Sequence, residues 1–180
     1  MVICLDAVLS INRKYYSFVV PRIRYFEETY PHIQTLNKIA SLIGELGYDG
    51  FHVVWKYKHV ARVKTLENLV NRYMAYANEI NEANDLVAMK DWAQKSSVMD
   101  YEKFGVNGIG LATFQYLRMM LVVSTVKPDV HIKRAVSSAL SRRVADLEAI
   151  WLVEKASEEM GLPATLVDHN LWRNFASDAH

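Results

Sequence analysis

Apolar residues recur at helical spacing along almost the whole chain, and this periodicity limits the fold more than any other feature. Leu36, Ile39, Ala40, Ile43 and Leu46 repeat at steps of three and four, which predicts an amphipathic helix over about 32–46 closed by Gly47. Leu66, Leu69, Val70, Tyr73, Met74, Ala77 and Ile80 mark a longer helix over about 60–80. A first helix is expected over 6–20, stopped by Pro21 and resumed over 22–29 before Pro31. Others follow at 84–95 (capped by Asn84 or Asp85), 111–122, 129–140, 143–160 and 163–176, with short ones at 51–58 and 97–104. The only β-like run, Val53-Val54, is too short to support a sheet. Seven Gly and four Pro in 180 residues are too few for a protein built of tight turns. The expected fold is all-α, with eight to ten helices. Residues 1–180 form one helical unit or two closely packed lobes, without a long internal repeat.

Composition removes several function classes. The lone Cys4 excludes an intramolecular disulfide, a cysteine-rich zinc site and a four-cysteine iron–sulfur cluster. His32, His52, His59 and His169 show no ligand spacing, so no catalytic metal is expected, and nothing in the sequence asks for a cofactor. No apolar run reaches the ~18 residues that a membrane span needs. The start of the chain lacks the basic stretch of a signal peptide, so a cytoplasmic location is expected.

The formal net charge of +1 conceals an uneven distribution. Arg13, Lys14, Arg22 and Arg24 cluster in 13–24, and Lys56, Lys58, Arg62, Lys64 and Arg72 face only Glu67 in 56–72. Lys127, Lys133, Arg134, Arg142 and Arg143 face only Asp129 in 127–143, whereas 146–178 is acidic. Basic segments that converge in space would make a phosphate-binding face with the acidic side opposite. The alternative is a set of solvated helix faces.

One hairpin carries chemical information. Val106-Asn-Gly-Ile-Gly-Leu-Ala-Thr-Phe114 places two glycines around one aliphatic residue immediately before a helix. Glycine permits positive φ and lets a ligand approach the backbone, and the N–H groups of the next helix's first turn suit an anion. The same pattern serves an ordinary helix–helix corner that uses glycine for close packing. Further on comes Val126-Lys-Pro-Asp-Val-His-Ile-Lys-Arg134, in which Asp129 also has the makings of a helix N-cap.

Over Phe104 to about Leu140 these two motifs together resemble the helix-hairpin-helix DNA glycosylases, the superfamily of endonuclease III and the alkylbase glycosylases. Leu5-Asp-Ala-Val-Leu9 and Val167-Asp-His-Asn-Leu-Trp172 extend the likeness loosely toward the ends. The resemblance implies a partner, double-stranded DNA that can contain a lesion, and a role in base excision repair. It implies that Gly108, Ile109, Gly110 and Thr113 hold phosphate, joined by Lys127, Lys133, Arg134 and Lys58. It implies that Asp129, supported by His131, stabilises an oxocarbenium-like transition state beside a flipped nucleotide. Trp55 and Tyr57 then stand where the family lines its base pocket or wedges the duplex, and carbonyls of Phe104, Val106 and Ile109 stand where it holds a monovalent cation.

The departures are as informative. Ala112 replaces the lysine that forms a Schiff base in bifunctional members, so any hydrolase activity is expected to be monofunctional base release. Phe114 takes the place of a small residue, and the segment Val122–Lys127 lacks the family's glycine. Each assignment also has a plain structural counterpart: Thr113 as a hydroxyl bonded to its own helix, His131 as a surface residue, and Trp55 as core. Two other functions remain open, a non-catalytic helix-hairpin-helix DNA-binding module and an all-helical protein-interaction domain.

Overall fold

The computed structural model describes residues 1–176. These contain eleven α-helices and no strand: α1 (Val2–Ser10), α2 (Val20–Thr29), α3 (Leu36–Gly50), α4 (His52–Trp55), α5 (Val60–Glu79), α6 (Asp85–Lys95), α7 (Tyr101–Phe104), α8 (Leu111–Met120), α9 (Val130–Leu140), α10 (Asp146–Met160) and α11 (Ala164–Ala176). The all-α fold expected from the periodicity is the one adopted. None of the described helices is long and apolar enough to cross a membrane. The chain divides into two compact units. The first is Met1–Trp92 with Phe104–Ile109, and the second is Ala93–Lys103 with the chain from Gly110 onward.

In the first unit, α5 is packed by α1 and α3. Helix α1 is apolar apart from Asp6 and Ser10: Cys4, Leu5, Ala7, Val8 and Leu9 are all buried, and the buried Asp6 carboxylate accepts from the Tyr15 hydroxyl at 2.9 Å. That is the signature of a helix inside a core rather than on a surface. The stripe Leu36, Ile39 and Ile43 on α3 meets Val63, Leu66, Leu69 and Val70 of α5 in the same core, each such side chain contributing roughly 1.5–3 kcal/mol when fully buried. Tyr73, Trp92 and Phe104 close one end as a ring cluster, with centroids 5.0 to 6.2 Å apart. Asp85 ties α6 to α3 by accepting the Leu36 N–H at 2.7 Å, while Asn84 accepts from Leu86 and Val87 as the N-cap.

Two local expectations are corrected here. The helix expected over 6–20 is instead α1, a turn with Asn12 at φ +55° and one wide π-type turn over Tyr15–Val19. Pro21 does not end a helix; it sits in the first turn of α2, directly after the π-type turn, where its fixed φ suits the helix. Gly47, by contrast, adopts φ +65° and ψ 171°, outside the helical region, so the regular run of α3 breaks there as expected and the short turn up to Gly50 starts anew beyond it.

The second unit packs α9, α10 and α11 around Val126, Ile132, Val136, Ile150 and Val153, with Leu171 and Trp172 against them. A buried polar chain fixes the connection from α8 to α9. Arg118 donates to Gln115 Oε1, Gln115 donates to Thr125 Oγ1, and Thr125 donates to Glu154, each at 2.7 Å. In that connection Val122 is held at φ +69° with its side chain 66% exposed. It lies in the segment where the resemblance would expect glycine.

Candidate functional site

The first unit gathers two of the three basic segments. The end of α1 and the turn before α2 bring in Arg13, Phe18 and Arg22, and the α4–α5 connection brings in Tyr57 and His59. Arg13 donates to the Tyr57 hydroxyl at 2.7 Å, and Arg62 donates to the carbonyl of Ile11 at 3.1 Å. The Arg22 guanidinium lies 3.7 Å from the Phe18 ring centre, and Phe18 meets Tyr57 edge-on at 5.0 Å. Lys56 stands 4.3 Å from the Tyr25 ring centre. No described carboxylate bonds to Arg13, Arg22 or Arg62. Burial, and next to it the charge of Arg13, pull the Arg22 and Arg62 guanidiniums below their ordinary range, with the Tyr57 hydroxyl acting the other way. Like charges held together without a counter-charge create an electrostatic demand for an anion.

A cleft of about 290 Å³ opens beside this cluster. One wall is the first half of α5, with its cap: His59, Arg62, Lys64, Thr65 and Asn68. The other is the turn Asn107-Gly108. His59 caps α5 by accepting the Arg62 N–H on Nδ1 at 3.3 Å.

The hairpin glycines do separate structural work. Gly108 adopts φ +88°, and a Cβ there would lie 2.2 Å from Thr65 Oγ1, so its close approach is spent on α5. Ile109 is core, and its N–H closes the turn onto the Val106 carbonyl at 3.1 Å, which occupies one of the three carbonyls suggested for a cation. Phe104 and Val106 are buried too. Gly110 belongs to the second unit; it caps α8 in an extended conformation, with nothing near a hypothetical Cβ. Thr113 is 6% exposed and points its side chain into protein, not toward a surface phosphate.

Trp55 is likewise corrected. It is 0% exposed, packed edge-on to Phe51, with its indole N–H donating to the Tyr57 carbonyl at 2.6 Å. Its neighbours Phe51 and Val54 are buried on the same short helix, so it is a core residue and offers no face to a base. Tyr57 is half-buried, and Lys58 is exposed.

In the second unit Asp129 is the N-cap of α9, accepting on Oδ1 from His131 N–H at 2.8 Å and Ile132 N–H at 3.1 Å. The His131 ring meets Trp172 edge-on at 6.1 Å, and its Nδ1 is buried without a hydrogen-bond partner among the described residues. Asp168 of α11 is 6% exposed and accepts the Lys127 N–H at 2.9 Å. Burial pushes its carboxyl up to about 7; the Lys127 N–H bond opposes that shift and the Asp129 charge adds to it. Lys127 extends its ammonium to 4.1 Å from the Tyr116 ring centre. The third basic segment is partly neutralised where it stands. Lys133 pairs with Asp146 at 2.8 Å and Arg142 pairs with Glu148, whereas Arg134 is exposed. Two acids of α10, Asp146 and Glu148, therefore meet these bases.

A family model described as a domain of unknown function, DUF8548, matches residues 1–176. The chain belongs to that family. No curated protein and no solved structure matches it. The two motifs of this DUF8548 protein give no role to Arg13, Arg22, Arg62, His59, Asn68, Asn107 or Asp168. The charge pattern of 13–24 and 56–72 was the available signal for the arginines. Asp168 had only its place in Val167–Trp172. Among the described residues of this DUF8548 protein, no group of three or more His, Cys, Asp or Glu side chains is arranged to hold a metal ion.

Proposed function

We propose that this protein binds nucleic acid, DNA by the resemblance of its two motifs, through phosphate contacts on the basic and aromatic face of the first unit. One observation carries this. Arg13, Arg22 and Arg62 come from segments some forty residues apart, gather around Tyr57 and Phe18, and have no carboxylate partner among the described residues. The Arg13 and Arg22 guanidiniums lie over the Phe18 ring, which attracts a cation without neutralising its charge. Such a face reads phosphate spacing rather than sequence.

Binding should weaken linearly in log–log form as salt rises. Lys58→Gln and Lys64→Gln remove exposed charges without touching the core, and each should flatten that slope by about one. Fluorescence anisotropy on short duplexes measures it. A double variant that melts like the parent and binds with unchanged affinity and slope would refute the assignment.

A second reading has its own observation. The carboxyl of Asp168, raised by burial, lies close enough to Asp129 to feel its charge, and two neighbouring acids are the arrangement that a hydrolytic pair uses. On that reading Asp129 stabilises positive charge during monofunctional removal of a base, with His131 in support. Asp129→Asn keeps the cap and deletes the charge, so base release should fall roughly a hundredfold with stability held within about 1 kcal/mol. Full activity in that variant, or no base release from any lesion-bearing duplex by the parent, leaves Asp129 as a cap alone.

A further inference from the structure

We propose that the cleft between α5 and the Asn107-Gly108 turn is a single-nucleotide site, taking the phosphate and the base of one nucleoside 5′-phosphate. This deepens the nucleic-acid reading and rests on it. Two kinds of chemistry face the cleft. His59, Arg62 and Lys64 supply three basic groups within six residues of one helix end, and no carboxylate joins them in the lining. Arg62 is half-buried, and its guanidinium donates only to a backbone carbonyl among the described residues, so its charge lacks a counter-ion. Leaving a partly dehydrated cation uncompensated is costly, and a phosphate at the cleft would supply the missing charge.

Asn68 and Asn107 add what a bare phosphate does not need. Each primary amide offers two donors and an acceptor, the set that pairs with the edge of a base. Both are exposed, and neither amide is occupied by a hydrogen bond to a described residue. The cleft, at about 290 Å³, is near the lower end of pockets that hold a small organic ligand, roughly 300 Å³, and is roomier than one phosphate requires. Gly108 lets the turn lie directly against Thr65 of α5, with no room for a side chain between them, which closes the cleft at that end.

The ligand chemistry, a phosphomonoester carrying a base, is shared by a free nucleotide and by the 5′ end of a strand. The test is competition on the full chain against a 3′-labelled single-stranded oligonucleotide. Adenosine 5′-monophosphate should displace the label at a concentration at least tenfold below that needed of inorganic phosphate or adenosine. Asn68→Ala, an exposed change to a better helix former, should erase that advantage. A 5′-phosphorylated oligonucleotide that binds tighter than its 5′-hydroxyl twin makes the strand end the ligand; equal binding of the twins, with the monophosphate still competing, makes it the free nucleotide. If the oligonucleotide binds and the monophosphate competes no better than phosphate, the single-nucleotide site is wrong while phosphate binding by this face stands. If no oligonucleotide binds, labelled adenosine monophosphate is titrated directly, and its failure to bind overturns the site as well.

Discussion

Replacing Asp168 by Asn should make the second unit more stable at neutral pH and flatten its pH dependence. Asp168 is 6% exposed, and burial raises its carboxyl from 3.8 to about 7. A carboxyl raised in the folded state favours the protonated folded form. Its contribution is therefore greatest below the unfolded value and is lost as pH rises through the folded one. Between pH 7.5 and 5.5 the parent should gain about 2 kcal/mol, from one and a half units below the folded value at about 1.4 kcal/mol per unit. Asn retains an oxygen to accept the Lys127 N–H and carries no charge to desolvate. At pH 7.5 the variant should exceed the parent by up to about 4 kcal/mol, the whole rise from 3.8 to about 7 at about 1.4 kcal/mol per unit, less any loss from an amide N–H that finds no partner. Urea titrations at a series of pH values, followed by Trp fluorescence, give both quantities; Trp151 and Trp172 report from this unit. A parent whose stability is flat or falling from pH 7.5 to 5.5, together with a variant no more stable at pH 7.5, would refute the buried-acid account.

Gly108→Ala should cost about 3 kcal/mol: φ +88° disfavours any L side chain, and the new Cβ meets Thr65 Oγ1 at 2.2 Å. Adding Thr65→Ala should recover part of that cost in a double-mutant cycle, and strict additivity would remove Thr65 from the explanation. Val122→Gly should stabilise by up to about 1 kcal/mol, since Val122 is strained at φ +69° and mostly exposed, against the entropy that glycine brings. A lower melting temperature in that variant would show that the Val122 side chain makes a contribution larger than the strain.

Local signals were legible where a single helix decides the outcome. The apolar stripe of α5, the Asn84 cap of α6 and the Asp129 cap of α9 follow from residues within one or two turns of each other. Pro21 misled because one residue type both ends and begins helices, and its position relative to the preceding π-type turn is not written in the spacing. The charge runs at 13–24 and 56–72 announced a basic face; which arginines form it depended on Tyr57 and Ile11 being brought beside them. The run at 127–143 looked equivalent but folds against Asp146 and Glu148. Gly108 was legible as a required glycine, yet its neighbour proved to be Thr65, not a ligand. Asp168 was hidden for a simpler reason. Nothing near it in sequence says that α9 and α11 will bury it.

The discontinuity of the first unit has a consequence for how the chain is made. When Trp92 leaves the ribosome, the ring cluster it forms with Tyr73 still lacks Phe104, and the Thr65 wall still lacks Gly108. The missing piece, Phe104–Ile109, arrives only after Ala93–Lys103, which belongs to the other unit. At ordinary synthesis rates of about 5–20 residues per second, the nascent chain spends on the order of a second with that apolar end open. During that interval Tyr73 and Trp92 are available to a chaperone or to a neighbouring nascent chain, and a pause in translation between codons 93 and 109 would lengthen the exposure.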